Sequence, residues 1–225
     1  MTRNLLWVIS LLAFPAAAGA QEPFPGRAIN AIVPFPPGGF VDITARPLAA
    51  AMEKIVKQPV SISNRPGAVS AVGTATAANA KPGGYTVLIT ASTISMVPEA
   101  DKLFDRKPAY TLNQFAPIAL IWTDPTYLVV RSESPWKSVK ELGYNIEYYV
   151  WVGLFAPTDT PDAAMKVLRN AVNRSVEDPD FKATMAKLST PVYYLDAPEF
   201  HKFWDRDAKR LAEVIRTIGR VEEKK

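Results

Sequence analysis

The chain has 225 residues, of which 48% are hydrophobic and 21% charged, and its formal net charge is +4. This composition predicts an ordinary globular protein with a buried core and argues against an intrinsically disordered chain. The basic residues are scattered rather than clustered, so nucleic-acid binding is not indicated. The chain contains no cysteine, which excludes disulfides, thiolate zinc sites and cysteine nucleophiles.

Residues 1–20 have the pattern of a cleaved secretory signal peptide. Arg3 precedes an apolar run from Leu5 to Phe14, and the segment ends in small residues. A membrane anchor is the alternative, but the apolar run is too short to span about 30 Å of hydrocarbon, and Pro15 follows it directly. We therefore expect a periplasmic protein whose mature chain begins at Gln21.

The stretch Ile29–Asp42 combines an apolar strand, a rigid turn and the start of a helix. Gly38 and Gly39 remove the side chains that would block the approach of a ligand, and Pro36 and Pro37 fix the turn. Backbone N–H groups and the positive end of the helix dipole favour a carboxylate or phosphate at such a place. The alternative is a strand-to-helix turn that needs its glycines only for their dihedral angles.

Strand and helix patterns alternate along the next part of the chain. The predicted elements are a helix over Val41–Lys57, a strand over Val60–Asn64, a helix of small residues over Ala68–Ala80 and a strand over Tyr85–Thr90. Pro47 lies inside the first helix and predicts either a late start or a bend. This order predicts βαβ units, a parallel sheet with helices on both faces, and a ligand crevice at the carboxyl ends of the strands.

Ordered motifs in this region resemble the Bug (TctC-like) family, the periplasmic solute-binding proteins of tripartite tricarboxylate transporters. They are VPFPPGGFVD at Val33–Asp42, NRPGAVSAVG at Asn64–Gly73, PGGYT at Pro82–Thr86, TASTISMVPEA at Thr90–Ala100 and, near the other end, VGLFAPTDTP at Val152–Pro161. The resemblance implies an α/β fold of the periplasmic-binding-protein type (type II). It also implies a small carboxylate ligand, namely a di- or tricarboxylate, an aromatic acid or an acidic amino acid. The implied partners are the membrane permease subunits of the transporter.

The three loops that follow the predicted strands supply the candidate ligand-binding residues. These residues are Phe35, Pro37, Gly38, Gly39, Phe40, Asp42, Gly67, Ala68, Thr90, Ser92 and Thr93. For Thr90, Ser92 and Thr93, the alternative is that the hydroxyl groups cap a helix or turn. For Asp42, the alternative is an N-cap or first-turn carboxylate, because a bound anion would repel its charge.

Most of a second lobe is expected to be missing. Phe115–Ser132 holds two apolar runs broken at Thr123–Pro125, where members of the family cross into their second lobe. A helix that starts at Ser138 ends at Gly143, and Tyr144–Phe155 already has the pattern of the returning strand. A lobe of this class needs on the order of 100 residues, and the chain has room for only a few of them.

The carboxyl-terminal part predicts helices that pack back on the fold. The expected division is a signal peptide at residues 1–20, a ligand-binding lobe at 21–122, crossover strands with a remnant of lobe two at 123–155, and C-terminal helices at 156–225. Thr160 and Asp178 are the expected N-caps, each followed by proline, for helices that run to about Glu177 and Leu188. A short strand at Val192–Leu195 and a helix over Pro198–Ile218, ended by Gly219, complete the prediction.

The residues that enzymes and metal sites require are not evident. His201 is the only histidine, and it falls on a predicted helix among core aromatic residues, which favours a structural role. No metal-ligand spacing, GxGxxG motif or P-loop is present. We therefore expect no cofactor, no metal and no catalysis, because a serine hydrolase would lack its base.

Two functions remain open on these observations. The first is a periplasmic solute-binding protein that captures a small carboxylate for a tripartite transporter and is impaired by the loss of most of lobe two. The second is a degenerate or redeployed single-lobe protein without tight small-molecule binding, which self-associates through its uncovered cleft.

Overall fold

The computed structural model describes residues 23–126, 129–138, 140–142 and 148–219. The predicted signal peptide, residues 1–20, and the predicted start of the mature chain at Gln21 lie outside the described residues. The charged tail at 220–225 lies outside them as well.

A six-stranded mixed sheet forms the centre of the molecule, with strand order β2-β1-β3-β5-β4-β6. Its first half consists of β1 (Ile29–Val33), β2 (Val60–Asn64) and β3 (Thr86–Ala91). Strand β1 lies between the other two and pairs in parallel with both. The predicted βαβ arrangement is therefore confirmed for these strands.

Helices α1 (Phe40–Val56), α2 (Ala71–Ala78) and α3 (Thr93–Leu103) follow the three parallel strands. Of the two alternatives predicted for Pro47, the late start is wrong, because the helix begins directly after the glycines and runs through Pro47. The bend stays a prediction. Pro47 cannot donate a backbone hydrogen bond to the preceding turn. The fully buried side chains of the same helix, among them Leu48, stabilise it against the sheet and offset this loss.

The second half of the sheet is antiparallel. Strand β5 (Tyr149–Pro157) lies between β3 and β4 (Phe115–Pro125), and β6 (Leu195–Asp196) pairs with the other side of β4. The return strand predicted over Tyr144–Phe155 is confirmed from Tyr149 onward, and residues 144–147 lie outside the described residues. Thr123–Pro125 interrupt the apolar runs of the sequence but not the strand, because these residues continue β4 and pair with the first residues of β5.

The connection between β4 and β5 comprises only residues 126–148. Within its described residues, the regular structure is one 3-10 turn at Lys140–Leu142, where the sequence predicted the start of a helix. A separate lobe would need on the order of 100 residues. The connection is too short to hold one, in agreement with a truncated second lobe.

Helices α4 (Asp162–Val176), α5 (Pro179–Lys187) and α6 (Ala197–Ile218) complete the fold. The carboxylate of Asp178 accepts hydrogen bonds from the amides of Asp180 and Phe181, which confirms the predicted N-cap. Gly219 follows α6 with a φ of 66°, as expected for its C-terminal end.

The N-cap predicted at Thr160 is wrong. Pro161 occupies the N-cap position of α4, and the hydroxyl of Thr160 donates instead to the carbonyl of Pro157 over 2.7 Å. The hydroxyl therefore stabilises the turn that leads into the helix rather than the first helical amides.

The sheet separates two hydrophobic cores because successive side chains of a strand point to opposite faces. Val87 and Ile89 of β3 pack with α1, α4 and α5, whereas Leu88 packs with α2, α3 and α6. The helices thus form one layer on each face. The ligand edge predicted from the sequence lies at one end of this three-layer structure, where β1, β2 and β3 end.

Candidate functional site

Three loops meet at one edge of the sheet, because each follows the carboxyl end of a parallel strand. The amide of Arg65, in the β2–α2 loop, donates to the carbonyl of Val33 at the end of β1 over 2.8 Å. In the same loop, the hydroxyl of Ser70 lies 2.9 Å from that of Thr93 at the start of α3. The structure therefore brings together the three loops that the sequence predicted.

Asp42 organises the β1–α1 loop from within. The residue is 1% exposed, and its carboxylate accepts hydrogen bonds from the Gly38 amide at 2.8 Å, from Nε and Nη2 of Arg46 at 2.8 and 3.0 Å, and from Nδ2 of Asn64 at 2.8 Å. Burial alone would raise the pKa of Asp42, but the hydrogen bonds from Arg46, Gly38 and Asn64 outweigh it and lower that pKa.

This geometry decides between the two interpretations of Asp42. Both carboxylate oxygens are occupied by protein donors, so the side chain holds the loop and is a first-turn carboxylate rather than a ligand contact. Sequence reasoning missed Asn64, whose side-chain amide also donates to the carbonyl of Phe35 over 3.1 Å. The only signal was its place at the end of β2, in the Asn-Arg-Pro-Gly turn.

The two glycines of this loop have different requirements. Gly38 has a φ of 78°, a conformation that residues with side chains rarely adopt, and it is exposed, as is Pro37. Gly39 has an ordinary φ of −70° and is the N-cap residue of α1. A Cβ atom on Gly39 would lie 3.1 Å from the carbonyl oxygen of Pro36. The backbone of both residues can therefore be approached closely only while they remain glycines.

An aromatic wall lies beside the glycines. The ring of Phe40 is 5.5 Å from that of Phe35 and 6.2 Å from that of Trp122, measured between centroids. The side chain of Phe40 is 42% exposed, whereas Trp122 is buried and donates from Nε1 to the hydroxyl of Thr44 over 2.9 Å. Trp122 was not predicted for the site, because within an apolar strand it has no distinguishing signal.

The β2–α2 loop has an unusual backbone. Gly67 has a φ of 138°, and Ala68, Val69 and Ser70 follow with φ values of 44°, 51° and 80°. The helix predicted from Ala68 therefore begins only at Ala71, because the three preceding residues are left-handed. Gly67 and Ala68, both candidate site residues, are exposed on this loop.

The hydroxyl-bearing residues of the third loop lie deeper than expected. Thr90 has no exposed surface, and its hydroxyl has no hydrogen-bond partner among the described residues. Ser92 is 2% exposed, while Thr93 is half-buried and bonded to Ser70. Ser92 is the N-cap residue of α3 but forms no side-chain capping bond. The alternative that the hydroxyl group caps the helix therefore does not hold for Ser92.

The amino-terminal ends of α1, α2 and α3 all point to this edge. Their N-cap residues are Gly39, Ser70 and Ser92, and none of the three forms a side-chain hydrogen bond to its helix. The first amides of a helix have no partner within the helix, and they carry the positive end of its dipole. In α2 the amides of Ala71 and Val72 already donate to the carbonyls of Ala68 and Gly67, so these two are not available to a ligand. The edge is thus suited to an anion rather than a cation.

The remaining expectations concern His201, metal-binding groups and membrane-spanning helices. His201 lies on α6 as predicted, but its side chain is exposed, whereas its neighbour Phe200 is fully buried. The described part of the chain contains no group of three or more side chains placed to hold a metal ion. No helix within the described ranges is long and apolar enough to cross a membrane.

Known proteins share both sequence and fold with this chain. A family model described as the tripartite tricarboxylate transporter family receptor, TctC, matches residues 44–142 and 136–220. A UPF0065 protein of Bordetella pertussis is 40% identical over 142 residues, which are 63% of this chain and 42% of that protein. BugT of the same species is 37% identical over 134 residues, 57% of this chain and 40% of that protein. The chain thus spans less than half the length of these relatives.

Solved structures show the same fold. A TctC solute-binding protein from Polaromonas superposes with a TM-score of 0.73 at 20% identity, over 86% of this chain and 99% of that one. MatC of Rhodopseudomonas palustris, solved with bound malate, has a TM-score of 0.69 at 20% identity, over 85% of this chain and 99% of that one. Rpa4515 of R. palustris, solved with adipate, has a TM-score of 0.71 at 16% identity, over 86% of this chain and 98% of that one. The resemblance found in the motifs is therefore confirmed, and the chain belongs to the TctC family of tripartite tricarboxylate transporter receptors.

Proposed function

We propose that this chain is a periplasmic solute-binding protein that holds a small di- or tricarboxylate at the carboxyl edge of β1, β2 and β3. The observation that carries the proposal is the convergence of three helix amino-terminal ends without side-chain caps on this edge. The bound ligand would pass to the membrane permease subunits of a tripartite transporter. No covalent step is involved.

The proposed ligand contacts follow the accessible parts of the three loops. One carboxylate of the ligand would pass over Gly38 and Gly39, whose own amides donate to Asp42 and to the carbonyl of Pro36, and face the amides of the first turn of α1. Its carbon chain would lie on the ring of Phe40. Gly67 and Ala68 would approach it from the second loop, and Thr93 from the third. The malate bound to MatC and the adipate bound to Rpa4515 support this ligand class.

We expect the binding to be weak, because one lobe leaves a side of the ligand in water. Each polar contact then competes with solvent and contributes only about 0.5–1.5 kcal/mol. If a two-lobed site binds in the micromolar range, at about −8 kcal/mol, losing about half of the contacts gives millimolar affinity or weaker.

A second candidate function is a single-lobe protein that no longer binds small molecules tightly and associates with itself through the uncovered edge. The exposed apolar side chains at this edge favour it, since Phe40 is 42% and Val69 73% exposed. Sedimentation of the mature chain as a dimer, together with no response to carboxylates, would support this alternative.

A thermal-shift panel tests the first proposal. Malate, adipate and citrate at about 50 mM should each raise the melting temperature, because ligand in large excess over a millimolar Kd stabilises by about 2 kcal/mol. The controls are sodium chloride at matched ionic strength and the uncharged diamide of adipate. Neither should raise the melting temperature. A panel in which no carboxylate exceeds the salt control would overturn the proposal.

A further inference from the structure

We propose a second ligand site, separate from the carboxylate edge, that takes an apolar monocarboxylate such as a medium-chain fatty acid. It is a hollow of about 590 Å³ between the β2–α2 loop, α3, the loop after α3, and α6. This volume falls in the range of small-molecule pockets, about 300–1,000 Å³. The site does not depend on the function proposed for the edge.

The walls of the hollow are apolar and come from three different parts of the chain. Val69 contributes from the β2–α2 loop, Met96 and Val97 from α3, and Ile215 from α6. Val69 is 73% exposed, although it is a large apolar side chain. An apolar ligand placed here would remove this surface from water. The burial of apolar surface is the main favourable term in binding of this kind.

The charged groups of the hollow favour one anionic end. Nε of Arg106 donates to Oδ1 of Asp101 over 2.9 Å, so the negative charge of Asp101 is compensated within the protein. Lys107 also lines the hollow, is exposed, and forms no side-chain hydrogen bond or ion pair with any described residue. One uncompensated positive charge therefore remains for a ligand carboxylate.

These features distinguish the ligand of the hollow from the ligand of the edge. A dicarboxylate would carry its second charge onto apolar walls, where a charge without a partner is strongly disfavoured. A monocarboxylate with a long apolar chain leaves no charge there. The two sites meet at the β2–α2 loop. Ala68, proposed above as a ligand contact at the edge, also lines the hollow together with Val69, and the neighbouring Ser70 contacts Thr93 at the edge.

Methionine-methyl NMR can locate the ligand directly. We suggest labelling the methionine methyl groups with carbon-13 and titrating with decanoate, below its micelle concentration. The methyl signal of Met96, assigned by its loss in Met96→Leu, should shift saturably. The signal of Met165, which lies on α4 outside the hollow, should not. A Met96 signal that does not respond, or one that shifts without saturation, would overturn the proposal.

Variants test the chemistry of the hollow. Lys107→Glu should weaken decanoate binding about fivefold or more, the effect expected when one exposed ion pair is replaced by repulsion. Lys81→Glu makes the same charge change at an exposed position outside the hollow and should leave the affinity unchanged. Ala109→Trp places a large side chain at an exposed position of the lining and should abolish binding. Equal affinity in Lys107→Glu and Lys81→Glu would contradict the assignment of the anionic end.

Two further comparisons separate this site from the edge. Gly39→Val should keep its affinity for decanoate, and malate should leave the Met96 signal in place. Decanol, which has the same chain without the charge, should bind more weakly than decanoate. Loss of decanoate binding in Gly39→Val would place the fatty acid at the edge and overturn the second site.

Discussion

The amide of Gly38 donates to Oδ2 of Asp42 over 2.8 Å, and this hydrogen bond ties the glycine turn to the first turn of α1. Asn64 joins the same carboxylate from the end of β2, so the β1–α1 loop, the end of β2 and helix α1 meet at a single buried charge. The loop is therefore held in shape before any ligand arrives, which lowers the entropy cost of binding.

Replacing Asp42 should destabilise the fold as well as the loop. In Asp42→Asn, the new amide cannot accept from all the donors that now face it, so we expect a loss of about 2–3 kcal/mol in the free energy of unfolding. Urea denaturation at neutral pH measures it. Asp162→Asn is a matched control, because Asp162 is also in the first turn of its helix but exposed. Asp162→Asn should lower the free energy of unfolding by less than about 0.5 kcal/mol. Similar losses in both variants would contradict the role of Asp42.

The same carboxylate predicts a pH dependence. The pKa of Asp42 is lowered in the folded protein from its ordinary value of 3.8, so its stabilisation is complete above the unfolded pKa. It is lost as the pH falls below about 4 and through the folded pKa. The difference in unfolding free energy between the wild type and Asp42→Asn, measured by urea denaturation, should therefore shrink between pH 5 and strongly acidic pH. A constant difference over that range would show that the charge of Asp42 is not responsible.

Gly39→Val should remove carboxylate binding while leaving most of the stability. The φ of Gly39 suits a residue with a side chain, but the added Cβ would lie 3.1 Å from the carbonyl of Pro36 and cover the backbone. The thermal shift produced by malate or adipate should disappear. Gly83→Val is the control, since a Cβ there would meet nothing closer than 3.7 Å and the site lies elsewhere. An unchanged thermal shift in Gly39→Val would refute the site assignment.

Gly73 is required for close packing rather than for its dihedral angles. A Cβ atom on this residue of α2 would lie 2.6 Å from the carbonyl oxygen of Arg65 and 2.8 Å from Cβ of Pro34. We expect Gly73→Ala to cost about 1–3 kcal/mol, the range of overpacking in a core. Chemical denaturation of Gly73→Ala, with Gly83→Ala as the control, measures this loss in the free energy of unfolding. A stabilised Gly73→Ala protein would mean that α2 can move away from the first loop freely.

Local sequence patterns predicted the elements but not all of their limits. The bounds of β2 match the prediction because apolar alternation and the Asn-Arg-Pro-Gly turn define both ends. The start of α2 was missed because Ala68, Val69 and Ser70 are not residue types that favour positive φ. The continuity of β4 through Thr123–Pro125 was missed because pairing with β5 outweighs their turn-like composition.

The site could be predicted as a set of loops but not as a network of contacts. The glycines, the prolines and the parallel strands were sufficient to locate the edge. The partnership of Asp42 with Asn64, and the packing of Trp122 against Phe40, join residues far apart in the sequence. Such contacts depend on tertiary structure, for which a single sequence carries no local signal.

An amide NMR titration of residues 21–225 with malate tests the central claim most directly. If the edge keeps the carboxylate site of one lobe, the amide signals of Gly38 and Gly39 should shift saturably, with a Kd of about 1 mM or weaker. A Kd below about 10 μM requires roughly −7 kcal/mol and would contradict the expected cost of the truncated lobe. No saturable shift of these two amides up to about 50 mM malate, far above a millimolar Kd, would contradict the site itself.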